Sequence, residues 1–170
     1  KDTIFNPTSH SYFNLNPSND SILNHKLKIN SSNYIPINNE FLPVGTLEKI
    51  TNTPFDFTNK REIGDQINFF DKQLKTAKGY DHYFVLEKKS EIAAEISEKI
   101  SGRKLTISTN QPGVQLYTGN HLSGIFSQNQ GLCLETQHYP DSPNNDNFPS
   151  TELKAGEKFY SKTTYFFQKK

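Results

Sequence analysis

Residues 132–138 read LCLETQH, and this stretch has the alternation of a β-strand whose two faces differ in polarity. Alternate side chains of a strand leave on opposite faces, so the two leucines share one apolar face. Glu135 lies on the other face together with Cys133 and Gln137. The stretch therefore predicts a strand that holds a carboxylate beside an amide on a rigid support.

A second stretch, residues 113–117 (GVQLY), shows the same division. Gln115 and Tyr117 alternate with Val114 and Leu116, which predicts a polar and aromatic face. Two such strands together suit a sugar, because its hydroxyls need hydrogen-bond partners and its C–H groups pack on aromatic rings. The same pattern is also typical of the solvent face of a one-sided sheet, so periodicity alone leaves both interpretations open.

The rest of the chain consists of short alternating segments separated by Pro, Gly, Asn and Ser. Residues 91–99 and 104–109 predict a hairpin, although the Ala-Ala-Glu stretch in the first segment also tolerates a helix. A short helix is predicted over residues 63–70, and a loop over the Pro- and Asn-rich residues 140–150. Together the segments predict an antiparallel all-β sandwich without a visible domain boundary. The remaining predicted strands are 33–37, which Pro36 confines to an edge or a strand end, and 46–51, 114–117, 131–139 and 159–167.

Composition argues against several classes of partner and site. A formal net charge of +1 over 170 residues predicts no highly charged partner and no nucleic acid. No apolar run approaches the ~20 residues that cross a bilayer, and residues 1–5 lack a signal-peptide pattern, so we expect no membrane partner and a cytoplasmic location. The single cysteine, Cys133, excludes an internal disulfide, and without clustered cysteines or histidines at ligand spacing it predicts no zinc or other metal site.

Two further features of composition suggest an incomplete unit. The sequence contains no methionine, which is expected of a processed product or a fragment. Its mean hydropathy of -0.76 predicts a thin core for a chain of this length. A partner segment outside the chain would explain the thin core.

Four motifs stand out along the chain: NPTSHSYFNL (6–15), GYDHYFVL (79–86), QPGVQLYTGN (111–120) and LCLETQHYPDSP (132–143). In content and in order they resemble one enzyme family, the aldose 1-epimerases. Ser9 stands where that family usually has Asn before the histidine at position 10, and Tyr83 stands where Asn is common. The shorter segments PFDF (54–57) and FPST (148–151) extend the resemblance across nearly the whole chain.

The resemblance implies a reaction, the interconversion of the α and β anomers of a free aldose such as galactose or glucose, without cofactor or metal. A base removes the proton of the C1 hydroxyl, an acid protonates the ring oxygen, and rotation about C1–C2 lets the opened sugar close on its other face. By motif position, Glu135 is the expected base and His10 the expected acid. An imidazole of pKa ~6.5 and a carboxylate of pKa ~4.3 suit these roles near neutral pH. Asp81 and Gln115 match positions that bind sugar hydroxyls, although Asp81, following Gly79, would equally suit a turn.

The resemblance also implies that something is missing. The family's N-terminal portion supplies several strands, an Asn-Arg pair and a second histidine, and none of these has a counterpart in this chain. Residues 1–170 are therefore expected to form a single domain, the C-terminal portion of the sandwich. We expect the missing N-terminal half, or a second copy of the chain, to cover its exposed edges. The chain by itself is expected to be weak or inactive.

Three alternatives remain open. A hexose-6-phosphate 1-epimerase shares the catalytic logic but needs Arg or Lys near the site for the phosphate, and neither Arg61 nor Arg103 lies in a motif. A non-catalytic carbohydrate-binding module could use a polar and aromatic sheet face without turnover. Sugar-processing lyases and hydrolases also contain sandwiches of this type as structural domains. The other histidines near the motifs match no catalytic position and are expected to be structural or on the surface: His82, His121 and His138.

Overall fold

The computed structural model describes residues 1–67, 70–88 and 90–169. Its strands form antiparallel sheets, which confirms the predicted all-β antiparallel sandwich. In chain order the strands are β1 (Thr3–Ile4), β2 (Tyr12–Phe13), β3 (Lys26–Ile29), β4 (Ser31–Ile35), β5 (Glu48–Lys49), β6 (Arg61–Glu62), β7 (Asp81–Leu86), β8 (Ile92–Ser97), β9 (Arg103–Thr109), β10 (Gly113–Tyr117), β11 (Leu132–Gln137), β12 (Glu152–Leu153) and β13 (Thr163–Lys169).

Two sheets form the layers of the sandwich. One contains six strands in the order β2-β11-β10-β7-β4-β5, and the other contains five in the order β13-β9-β8-β3-β6. Strands β1 and β12 form a separate two-stranded ribbon. The central strands of the six-stranded sheet, β7, β10 and β11, are therefore held by neighbours on both sides, which makes them a rigid support for a site.

The core fills the space between the two layers. Leu116 and Leu134 from the six-stranded sheet belong to the same fully buried cluster as Ile96 and Ile107 from the five-stranded sheet. The leucines of residues 132–138 thus point into the core, as alternation predicts, because burying them removes apolar surface from water. The opposite face of the six-stranded sheet is left for polar side chains.

A short α-helix, α1 (Lys72–Ala77), lies between β6 and β7, and a single 3₁₀ turn, Ser142–Asn144, lies between β11 and β12. The Asp71 side chain accepts hydrogen bonds from the backbone N–H groups of Gln73 and Leu74, at 2.8 and 3.1 Å, and this cap fixes where the helix begins. No helix in the described part of the chain is long and apolar enough to cross a bilayer.

The helix predicted over residues 63–70 is wrong for residues 63–67, which form a bend and turns, while residues 68 and 69 lie outside the described part. Backbone bonds to a distant segment explain the difference. The N–H of Ile63 donates to the carbonyl of His25 at 3.0 Å, and that of Gly64 donates to the carbonyl of Leu23 at 2.8 Å. These partners replace the hydrogen bonds that a helix would need.

The predicted hairpin is confirmed as β8 and β9, and its helical alternative is wrong. A register shift between Ile92 and Ala94 places both Ala93 and Ala94 in the core, which explains the imperfect alternation there. The predicted strands 33–37 and 159–167 are shifted, since β4 ends before Pro36 and β13 begins at Thr163. Strands β3 and β7 have no counterpart among the strands predicted by alternation.

Candidate active site

The exposed face of three adjacent strands brings together the residues predicted from the motifs. Asp81 is the first residue of β7, Gln115 lies in the middle of β10, and Glu135 lies in β11. The register pairs Gln115 with Glu135 on one side and with Tyr83 on the other. Because directly paired residues project from the same face, these side chains leave the sheet together, away from the core.

A cleft of about 240 Å³ lies over this face, and all four predicted site residues line it. The described lining contains two carboxylates and no Lys or Arg. Its wall is completed by residues that follow β4 and by residues near the end of β11. The lining consists of His10, Ile35, Ile37, Phe41, Pro43, Asp81, Tyr83, Gln115, Glu135, Gln137 and Pro140.

The proposed acid and base face each other. His10 lies just before β2, and its Nε2 is 3.4 Å from Oε1 of Glu135. The Glu135 side chain is only 9% exposed, whereas that of His10 is 53% exposed. Burial raises the pKa of the Glu135 carboxyl; the charge of His10 opposes this shift, and the nearby Asp81 carboxylate adds to it. Glu135 is therefore a stronger base than a carboxylate in water.

Asp81 and Gln115 form a second pair across the neighbouring strands. The Gln115 Nε2 donates to Oδ1 of Asp81 at 2.7 Å. Among the described residues, no group donates a hydrogen bond to the other Asp81 oxygen or to the side-chain carbonyl of Gln115, so both are available as acceptors for a polar ligand. Burial raises the pKa of Asp81, and this hydrogen bond and the charges of His121 and His10 act in the opposite direction. Asp81 lies in a strand and bonds a side chain, so the turn interpretation is wrong.

His82 lies in the core, directly behind Asp81. Its Nδ1 accepts the backbone N–H of Asp81 at 3.1 Å, and its Nε2 is 3.2 Å from Oε1 of Gln73 in α1. Accepting at Nδ1 requires the neutral imidazole with its proton on Nε2. Burial lowers the pKa of His82 to about 3, which keeps this form. His82 is therefore structural, as predicted, and it fixes the backbone at Asp81.

The other two histidines near the motifs, His121 and His138, stand apart from the acid/base pair. His138 is hydrogen-bonded through Nδ1 to Oε1 of Gln111 at 2.9 Å, and burial lowers its pKa. His121 is exposed, and its backbone N–H donates to the hydroxyl of Tyr117 at 3.0 Å. These positions agree with the prediction that both are structural or surface residues.

Cys133 is a residue of the site to which sequence reasoning assigned no role. Its Sγ is 3.4 Å from Nδ1 of His10, so the imidazole contacts Cys133 through one nitrogen and Glu135 through the other. Burial raises the pKa of the Cys133 thiol to about 12, and the charges of Glu135 and Asp81 add to this. Strand alternation already placed Cys133 on the same face as Glu135. The contact between Cys133 and His10, however, depends on the fold.

Aromatic rings surround His10. The centroid of its ring is 5.1 Å from that of Tyr12 and 6.0 Å from that of Tyr117. Burial is the main cause that raises the pKa of both phenols. The two hydroxyls therefore stay protonated at neutral pH, and the rings hold the imidazole over β11 without competing as bases.

Gly113 is required by the ring of Tyr83. A Cβ at position 113 would lie 2.1 Å from Cζ of that ring, far inside van der Waals contact. The Tyr83 hydroxyl donates to the carbonyl of Gln137 at 2.8 Å, so the ring bridges β7 and β11 over the backbone of β10. The glycine of the QPGVQ sequence thus allows a tyrosine to form part of the cleft.

The geometry permits a defined chemistry. A carboxylate and an imidazole lie 3.4 Å apart, and the hydrogen-bonded pair of Asp81 and Gln115 lies beside them. The C1 hydroxyl and the ring oxygen of a pyranose are bonded to the same carbon, so a base for one and an acid for the other must lie close together. The predicted residues meet this requirement.

Sequence comparison identifies relatives along the whole chain. The family described as aldose 1-epimerase matches residues 1–166. Mouse galactose mutarotase is 37% identical over 175 residues, covering 96% of this chain and 49% of its own length. The aldose 1-epimerase of Escherichia coli K12 is 36% identical over 174 residues, covering 95% of this chain and 50% of its own. The chain thus spans about half the length of these relatives.

Solved structures agree with the fold. A galactose 1-epimerase from Lactobacillus acidophilus superposes with a TM-score of 0.83 at 31% identity, covering 99% of this chain and 50% of that one. A GalM/aldose epimerase homologue from C. elegans superposes with a TM-score of 0.88 at 24% identity, covering 99% of this chain and 52% of that one. In both, the match again covers about half of the larger chain.

Proposed function

The chain belongs to the aldose 1-epimerase family, and from this membership we propose that it interconverts the α and β anomers of a free hexose, galactose or glucose. The observation that carries the proposal is the pairing of Glu135 with His10 in the cleft over the six-stranded sheet. The chemistry needs no group beyond a base, an acid and residues that orient the sugar.

In the proposed mechanism Glu135 removes the proton of the C1 hydroxyl while His10 protonates the ring oxygen. The C1–O5 bond breaks, the open aldehyde rotates about C1–C2, and the C5 hydroxyl adds to the other face of the carbonyl. For closure the roles reverse, since Glu135 returns its proton to the C1 oxygen and His10 takes the proton of the C5 hydroxyl. The raised pKa of Glu135 favours the first step, because it makes the carboxylate a stronger base toward the C1 hydroxyl.

Asp81 and Gln115 are proposed to orient the sugar. Their 2.7 Å hydrogen bond holds an acceptor and an amide on neighbouring strands, beside the acid/base pair. A sugar hydroxyl both donates and accepts, and the carboxylate and amide together match that requirement. Fixing the ring in this way would keep C1 at Glu135 and O5 at His10 while either anomer is bound.

The phosphate-specific alternative has less support. Arg61 donates to the carbonyl of Pro54 at 2.6 Å and lies over the ring of Phe57 at 4.9 Å, and Arg103 reaches the carbonyl of Leu15 at 3.4 Å. Neither arginine lines the cleft, whose described lining holds two carboxylates that would repel a phosphate. We therefore favour an unphosphorylated hexose.

A further protein segment is proposed to complete the site. Both sheets end on the same side, at β2 and β13, where Phe13 packs on Tyr165 with ring centroids 5.5 Å apart. Phe166 and Phe167 in the edge strand β13 are more than half exposed. Exposed apolar edge strands invite pairing with another segment. We propose that the N-terminal half present in the longer relatives, or a second copy of the chain, covers this side.

Polarimetry tests the activity directly. When the chain is joined to the segment that completes the sandwich, freshly dissolved α-galactose should reach its anomeric equilibrium faster than in buffer alone, and Glu135→Gln should abolish the acceleration. A carbohydrate-binding module would give no acceleration, and it would keep its sugar affinity in the Glu135→Gln variant. The rate should rise when the chain is joined to the segment that completes the sandwich. Full activity of the isolated 170 residues would refute that part of the proposal.

We also propose a cytoplasmic site of action, supported by the single cysteine, because disulfide-rich composition is typical of small secreted domains. Fractionation of the source cells tests this, because the protein should accompany cytoplasmic markers. Recovery in a secreted or membrane fraction would contradict it.

A further inference from the structure

Three side chains in the cleft offer different metal-ligating atoms within a small space. Cys133 and Glu135 are two residues apart on one face of β11, and His10 lies over both of them. One ligand atom from each of the three can be chosen so that all lie within 4.8 Å of one another. Sequence spacing predicts no metal site because His10 is more than 120 residues away in the chain, and only the pairing of β2 with β11 brings the three together.

From this cluster we propose that His10, Cys133 and Glu135 bind a single thiophilic divalent cation such as Zn²⁺. Thiolate, imidazole and carboxylate are the ligands that zinc uses in proteins, at about 2.3, 2.0 and 2.0 Å from the metal. Tetrahedral bonds of these lengths separate neighbouring ligand atoms by about 3.3–3.6 Å. The two observed 3.4 Å contacts use different nitrogens of His10, Nδ1 toward Cys133 and Nε2 toward Glu135. With one ligand atom from each residue the three atoms lie within 4.8 Å of one another, so they must close by up to ~1.5 Å around a single cation.

The imidazole must turn for the cation to enter. Its Nδ1 faces the sulfur and its Nε2 faces the carboxylate, whereas a metal takes only one of these nitrogens. His10 lies outside the strands and its side chain is 53% exposed, so it is the most adjustable of the three ligands, while β11 keeps the other two fixed. Three protein ligands leave a fourth position open, as in zinc sites that bind water or a small molecule.

The electrostatic surroundings favour a cation. Asp81 places a second carboxylate beside the cluster, and the described lining of the cleft contains no Lys or Arg. Binding displaces the proton of the Cys133 thiol, and the charge of the cation then neutralises the buried thiolate. A hard cation such as Mg²⁺ prefers an all-oxygen set with retained waters and should not compete.

Occupancy would inhibit the reaction, and this consequence rests on the proposed function. A cation bound to Glu135 and His10 occupies the lone pairs with which these side chains take up protons. The metal-bound protein can then neither remove the proton from O1 nor protonate O5. The site itself does not depend on that function, because the cation can be bound and measured without any sugar.

Titration with Cd²⁺ and Zn²⁺ tests the site on the 170-residue chain in the absence of sugar. Cd²⁺ should produce the ultraviolet charge-transfer band of a cadmium–thiolate bond, which should saturate at one cation per chain. The band should be absent in Cys133→Ser. Calorimetry with Zn²⁺ should show affinity at least ~10-fold weaker in His10→Gln and Glu135→Gln, since each loses a ligand. His138→Gln is the matched control and should bind like the original chain.

The outcomes separate the two proposals. Equal Zn²⁺ affinity in the original chain, His10→Gln and Glu135→Gln would mean that the thiol alone binds the cation, which would overturn the three-residue site. Titrations that show no saturable binding would also overturn it. His10 is exposed, so its variant should fold even if Cys133→Ser does not. Confirmed cation binding with mutarotation that survives Glu135→Gln would leave the site standing and refute the proposed catalytic base.

Discussion

Substituting Gly113 by alanine should destabilise the protein through a clash with one ring. The new Cβ would lie 2.1 Å from Cζ and 2.2 Å from the hydroxyl oxygen of Tyr83, so either the ring or β10 must move. Overpacking of this kind costs ~1–3 kcal/mol, and losing the hydrogen bond from Tyr83 to Gln137 costs up to ~1 kcal/mol. Alanine regains ~0.5–1 kcal/mol because it loses less backbone entropy than glycine in a strand. The net expected loss is therefore ~1–3 kcal/mol.

Urea unfolding followed by circular dichroism measures this loss on the chain itself, without any need for activity. With a slope of ~2 kcal/mol per molar urea, the midpoint should fall by ~0.5–1.5 M. Gly113 does not have a positive φ, so backbone strain does not contribute. Gly156→Ala is a useful contrast, because its φ of 89° makes the alanine strained while its surroundings are open.

A double-mutant cycle isolates the clash. In a Tyr83→Leu background the ring is gone, so Gly113→Ala should be neutral or stabilising by up to ~1 kcal/mol. The sign of the substitution thus reverses between the two backgrounds. An equal loss in both would refute the argument that Gly113 is there to accommodate Tyr83.

The other predictions concern the site and its pH dependence. Glu135→Gln and His10→Gln should each lower kcat/KM by ~10²–10⁴-fold in polarimetry, because each removes an acid/base group, and a loss below tenfold would contradict the assigned roles. Gln115→Leu should mainly raise KM, since it removes hydroxyl binding and leaves the acid/base pair intact; an unchanged KM would count against an orienting role. The unfolded chain protonates His82 near its ordinary pKa of 6.5, whereas the folded chain resists protonation down to about 3. Stability contributed by His82 is thus present above pH 6.5 and lost as the pH falls, by ~2 kcal/mol between pH 7 and 5. Urea unfolding of His82→Gln should show a clearly smaller pH dependence, and an equal one would rule His82 out as the cause.

Strand alternation made much of the sheet and half of the site predictable. The placement of Glu135 and Gln115 on the exposed face followed from residues 113–117 and 132–138, because a period of two leaves no freedom once the strand is recognised. Strand β7 was not recognised from alternation because residues 82–84, its middle, are buried on both faces, and only the motif at residues 79–86 indicated Asp81.

Contacts between distant segments were not predictable from local pattern. His10 lies in an irregular segment, and its position over β11 depends on the pairing of β2 with Leu132 and Cys133. The helix predicted over residues 63–70 failed for a similar reason, because the backbone N–H groups of Ile63 and Gly64 donate to carbonyls of a distant segment. The observed helix begins only after its cap, Asp71. In both cases a partner remote in sequence decides the local conformation.

The register of β7, β10 and β11 places the residues of the candidate site in two rows with fixed spacing. One row runs Tyr83, Gln115, Glu135, and the next runs Asp81, Tyr117, Cys133. Neighbouring strands lie about 4.8 Å apart, so three strands span roughly the width of one hexose. A substitution at one of these six positions can therefore change the chemistry there, while the backbone keeps the other five side chains in place.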